Sequence, residues 1–156
     1  MARQTEAVLL LILATAAFAS ATFHLRCPYG WKKYGYRCFQ YQATRLNWNS
    51  AEHHCQSLGG HLVSIHNEIE YQWVKAVIRA HDHKEKPAWI GLSDCQQKYR
   101  WVWSDGNPVT FTRWNPGEPN HWFGECCVHM NFGRKKNWND IHCHKKYPFV
   151  CARGLW

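Results

Sequence analysis

Eight cysteines constrain this chain more than any other feature: Cys27, Cys38, Cys55, Cys95, Cys126, Cys127, Cys143 and Cys151. In an oxidising compartment they make four disulfides, for which about a hundred connectivities exist on paper. Cys126 and Cys127 are adjacent and do not bond each other, so two distinct bridges must converge just behind Glu125. Whatever lies in front of that junction is anchored twice.

The compartment follows from the N-terminus. Arg3 is followed by an apolar run from Ala7 to Ala19 and by the small residues Ala19-Ser20-Ala21, the pattern of a secretory signal peptide over residues 1–21. The run is too short for a transmembrane span, which needs ~20 apolar residues, and no later segment offers a second candidate. A secreted, extracellular domain over residues 22–156 is the expectation, long enough to bury a core of its own.

Oxygen donors gather in front of the cysteine pair. Glu118, Asn120 and Glu125, with Asn139 and Asp140 further on, supply three carboxylates and two side-chain amides. Calcium takes roughly six to eight such oxygens. Pro119 separates two of these residues, and a cis Glu118–Pro119 bond is expected because an extended trans tripeptide aims the two side chains apart.

Between these landmarks the pattern alternates short strands with two helices. Trp31, Tyr36, Phe39 and Tyr41 make an aromatic hairpin that a Cys27–Cys38 bridge would staple. Asn49-Ser50 precedes a helix over residues 51–58, stopped by Gly59-Gly60, with Cys55 facing inward. A second helix starts at Asn67, with Glu68 and Glu70 in its first turn and a core stripe of Ile69, Trp73, Ala76, Val77 and Ala80. Ala88-Trp89-Ile90-Gly91-Leu92, Trp101-Val102-Trp103, Cys127 to Asn131 and Tyr147 to Cys151 read as strands. The glycine- and proline-rich stretch after Trp103 reads as a long loop, and long ordered loops in compact domains carry function.

Together these residues resemble the C-type lectin-like domain. The resemblance rests on Cys27-x10-Cys38, Trp89-Ile90-Gly91-Leu92, Glu118-Pro119-Asn120, Glu125-x-Cys127-Val128, Trp138-Asn139-Asp140 and Phe149-Val150-Cys151, and covers the chain beyond the signal peptide. It implies an α+β fold of two helices and two small antiparallel sheets, the second supporting a long calcium-binding loop. It implies Cys27–Cys38, Cys55–Cys151 and Cys127–Cys143. It leaves Cys95–Cys126 as the fourth bridge, a layout similar to secreted fish lectins and type II antifreeze proteins.

The resemblance further implies that Glu118, Asn120, Glu125, Asn139 and Asp140 hold a calcium ion and bind carbohydrate through it. Glu-Pro-Asn goes in that family with mannose, fucose and N-acetylglucosamine, and Gln-Pro-Asp with galactose. Trp122 is a candidate for stacking on the sugar, whereas Trp114 is expected in loop packing. The partners are then mannose-type glycans on cell or microbial surfaces, in the manner of innate immunity. A homo-oligomer would supply avidity, although heptads and collagen-like repeats are missing from the sequence. Ice binding on the same fold is the alternative, set against a Glu-Pro-Asn motif and a strongly basic surface.

The formal charge of +8, with Arg134-Lys135-Lys136 and Lys145-Lys146 as clusters, favours anionic partners such as acidic glycans, and export argues against nucleic acid. Catalysis is not expected. Glu118 and Glu125 as a glycosidase pair would need one protonated acid, which calcium ligation would forbid. His142-x-His144 lacks the spacing of a zinc hydrolase, and there is no Gly-x-Ser-x-Gly elbow.

Overall fold

Gly35 takes a positive φ of 56° and turns the chain between β1 (Lys32–Tyr34) and β2 (Arg37–Leu46). The computed structural model describes residues 26–155, so the expected signal peptide lies outside the described residues. β2 then pairs antiparallel with the C-terminal strand β8 (Tyr147–Gly154), from Arg37 opposite Gly154 to Gln42 opposite Phe149. β3 (His61–Leu62) adds to β8.

A second antiparallel group runs from β5 (Val102–Trp103) to β4 (Ala88–Ser93), β6 (Cys127–Phe132) and β7 (Asn137–Ile141). The two groups are the two small sheets of the expected α+β fold. They meet at a single parallel pair, Trp89 beside Phe149, so that the strands form one mixed sheet. β4 is buried along its whole length, which explains its continuous apolar run.

Helix α1 (Trp48–Ser57) begins earlier than expected. Its cap is Asn47, whose Oδ1 accepts the Ser50 amide at 2.8 Å. Trp48 is thereby placed in the first turn, where its Nε1 donates to the Ile90 carbonyl at 2.9 Å. Helix α2 (Glu68–Arg79) is capped by Asn67, as the sequence suggested, with Oδ1 accepting from Glu70 at 2.8 Å.

The inward face of α2 differs from the expected stripe. Tyr71, Val74, Val77 and Ile78 are buried, while Ile69 is 69% exposed. The apolar residues on α2 are numerous enough to define two overlapping stripes, and polar contacts choose between them. Glu70 Oε1 accepts from Arg37 of β2 at 2.7 Å, and the Tyr71 hydroxyl donates to the Lys136 carbonyl at 3.0 Å. Those bonds turn the helix by about one residue and leave Trp73 stacked at the edge on Tyr34, ring centroids 5.4 Å apart.

The four disulfides are Cys27–Cys38, Cys55–Cys151, Cys95–Cys126 and Cys127–Cys143. This is the pairing that the resemblance implies. The last two tie the end of β4, the start of β6 and the turn after β7 into one knot.

Candidate functional site

The segment between β5 and β6 has little regular structure, and its shape is set by what it packs against. Trp138 of β7 bonds across to it twice: its amide donates to the Arg113 carbonyl at 2.8 Å, and its carbonyl accepts from the Asn115 amide at 2.9 Å. Trp114 lies beside Trp101 and Trp138, with centroids 4.9 and 5.9 Å away. It is therefore a packing residue of the loop, half-buried against the core.

From that anchor the chain turns through Gly117 and a cis Glu118–Pro119 bond. Asn120 Nδ2 then donates to Glu118 Oε1 at 3.2 Å, so the residues on either side of the proline face the same point. Asp140, fully buried on β7, gathers the loop from below. Its Oδ1 accepts the Asn120 amide at 3.0 Å and its Oδ2 accepts the His121 amide at 2.7 Å.

The loop continues through a single 3-10 turn (Trp122–Gly124), in which the Trp122 amide donates to Asn120 Oδ1 at 2.9 Å. Glu125 follows, 7% exposed, its amide donating to the Trp122 carbonyl at 3.2 Å. Asn139, beside Asp140, is also buried, with Nδ2 at 3.1 Å from His129 Nε2.

Three carboxylates thus crowd together with little positive charge among them. Burial, together with a hydrogen bond and repulsion from Asp140, pushes Glu118 up to about 7. Burial and Asp140 raise Glu125 as well. Glu118 Oε2 is buried without any hydrogen-bond partner. Crowded, desolvated carboxylates with a spare inward oxygen are the donor type that a hard divalent cation takes, and such an ion would remove the repulsion that raises these groups.

The main lateral support of the site has no local signal in the sequence. His121 follows the motif with its side chain 7% exposed, Nε2 2.6 Å from Asp94 Oδ2 and Nδ1 3.9 Å from Asp140 Oδ2. Asp94, at the end of β4, also accepts the Tyr99 amide at 2.7 Å and donates its own amide to the Cys126 carbonyl at 3.1 Å. One buried aspartate therefore links the strand, the cysteine knot and the loop. His129 is a second unforeseen neighbour, held neutral because burial pushes it down to about 4 against the pull of Asp140.

The model of the Lectin C-type domain matches residues 44–153. The chain belongs to the C-type lectin domain family. The lactose-binding lectin l-2 of Anguilla japonica is 42% identical over 131 residues, covering 81% of this chain and 77% of that lectin. Ladderlectin of Oncorhynchus mykiss is 40% identical over 124 residues, covering 79% of this chain but 65% of ladderlectin, just under two thirds of its length. The solved structure of herring type II antifreeze protein superposes with a TM-score of 0.79 at 35% identity, covering 83% of this chain and 100% of the herring protein.

In this C-type lectin domain the sulfurs of Cys95, Cys126, Cys127 and Cys143 lie within 4.8 Å of one another. Each is already bonded to another sulfur, so the cluster offers no thiolate to a zinc ion. It acts as a rigid floor behind Glu125. Trp122 and Phe123 project from the rim, 66% and 81% exposed, their rings 5.1 Å apart.

Proposed function

We propose that this domain is a secreted, calcium-dependent lectin that binds mannose-type sugars through Glu118, Asn120, Glu125, Asn139 and Asp140. The observation that supports the reading is that Asn120 and Glu118 face each other across the cis proline, above Asp140 and beside a buried, unpartnered Glu118 oxygen. A bound calcium would be held by these residues and would offer coordination to two vicinal sugar hydroxyls.

The chain's own residues do the rest. Carboxylate oxygens of Glu118 and Glu125 accept hydrogen bonds from those hydroxyls, and the amides of Asn120 and Asn139 donate to their lone pairs. With the acid before Pro119 and the amide after it, acceptor and donor are held in a fixed order across the cis proline. That order selects the stereochemistry of the hydroxyl pair and favours mannose, fucose and N-acetylglucosamine. Trp122, exposed beside Asn120, offers a ring to the sugar's apolar face. No general acid or base is required, and the relatives named above are lectins and an antifreeze protein.

Each site holds one exposed sugar unit, so affinity is in the millimolar range, about 4 kcal/mol. Multivalent glycans on cell or microbial surfaces, or a homo-oligomer of the lectin, raise it by avidity. The lactose-binding name of the eel relative is the counter-reading on sugar choice, and the herring likeness favours ice binding as a second class.

Retention of the disulfide-intact domain on immobilised mannose and galactose, with calcium and then a chelator, tests the proposal. Calcium-dependent retention on mannose is expected. Retention on galactose instead overturns the sugar assignment. Failure on both sugars, with calcium-dependent thermal hysteresis, transfers the site to ice.

A further inference from the structure

The calcium loop leaves the molecule's basicity unused. A pocket of about 500 Å³ opens elsewhere, between β2, the loop leading from α2 to β4, and the start of β8. Its volume falls in the range of small-molecule sites. Two tyrosines form its walls. Tyr147 is fixed edge-on against Trp89 and His129, with centroids 5.0 and 4.8 Å away. Tyr41 is stacked on His81 at 5.5 Å.

Arg45 and Lys86 line the same pocket, and neither forms an ion pair with the described residues. The pocket's acid, Asp82, accepts the amides of Lys84 at 3.1 Å and Lys86 at 3.0 Å, and its ionised carboxylate offsets part of the Lys86 charge while leaving Arg45 uncompensated. The balance of charge is positive, next to two aromatic faces.

We propose that this pocket is a second, calcium-independent glycan site that takes a sulfated or carboxylated saccharide unit. An Arg guanidinium forks onto two oxygens of such an anion, and Lys86 adds a point charge. The tyrosine rings pack against the C–H face of the sugar ring. The tyrosine hydroxyls, protonated at neutral pH in any case, can donate to sugar oxygens. A neutral sugar leaves the Arg45 guanidinium without a counter-charge, and a bare inorganic anion leaves both rings uncovered. The two halves of the pocket therefore select a ligand that is both anion and ring.

The test titrates the intact protein, in chelator, with a heparin-derived sulfated disaccharide, its desulfated form and inorganic sulfate. The sulfated disaccharide should bind, with the other two weaker by about tenfold or more. Arg45→Ala with Lys86→Ala should lose that binding by about tenfold, and Tyr41→Ala should weaken it, while both keep the wild-type response to calcium and mannose. Arg134→Ala with Lys135→Ala, outside the pocket, should leave it unchanged.

Equal losses in the two basic double variants would reduce the site to diffuse charge and overturn the proposal. So would equal affinity for inorganic sulfate, or unchanged binding in the Arg45/Lys86 variant. Failure on mannose alone would sink the calcium-site reading and leave this one standing.

Discussion

In the proposed lectin reading Glu118 and Asn120 carry the sugar choice, because they differ in which end of the hydrogen bond they offer while facing each other. Exchanging them by Glu118→Gln with Asn120→Asp keeps the number of oxygens and inverts donors and acceptors. The double variant should move retention from mannose to galactose on paired columns, and unchanged mannose retention would remove both residues from the selecting role. Tyr71 shows a different kind of residue-scale constraint. Burial pushes its hydroxyl up to about 12, against the nearby Arg113 guanidinium. The protonated form is favoured in the fold, so this contribution is fully present below the unfolded value near 10 and fades as pH rises toward 12. Tyr71→Phe loses the bonds to Lys136 and Asn137 and should cost about 1 kcal/mol at neutral pH. That deficit should shrink between pH 10 and 12 in urea unfolding. A constant deficit across that range would mean the hydroxyl is not protected.

Elements were legible wherever a residue type has few alternatives. Cysteines, the apolar run of β4 and the Asn67 cap mark their elements without help from the rest of the chain. The inward face of α2 was not legible, because Glu70 turns toward Arg37 and Tyr71 toward Lys136, partners 33 and 65 positions away. The same holds for the Asp94–His121 contact across 27 positions: neither residue has a local signal that predicts the other. Gly91 is a legible residue whose reason lies in packing. A Cβ there would stand 2.6 Å from the Leu62 carbonyl oxygen and 2.8 Å from Ser104 Oγ, where β4 passes close to β3. Gly91→Ala must push those strands apart and should cost on the order of 1–3 kcal/mol, read as a lower denaturation midpoint. An unchanged midpoint would show that β3 yields freely.

At the scale of the whole molecule, the loop proposed to hold calcium is fixed from three sides: the Trp138 bonds at one end, the cysteine knot at the other, and Asp140 beneath. This scaffold brings together carboxylates that repel each other, so folding here stores a demand for positive charge. A ligand that binds the folded state alone stabilises it by mass action, ~2.7 kcal/mol at a hundred times its dissociation constant. For a domain of this size, saturating calcium should therefore raise the midpoint of thermal unfolding on the order of 10 °C, and chelator should reverse it. Glu125→Gln is the informative variant. It removes one buried charge, so the calcium-free protein should be as stable as wild type or more so, while the response to calcium collapses. A structural role for Glu125 unconnected with an ion predicts the opposite pairing: a destabilised calcium-free domain whose response to calcium is intact. Melting both proteins with and without chelator separates the two, because the scaffold's contribution and the ion's contribution then fall on different arms of the same experiment.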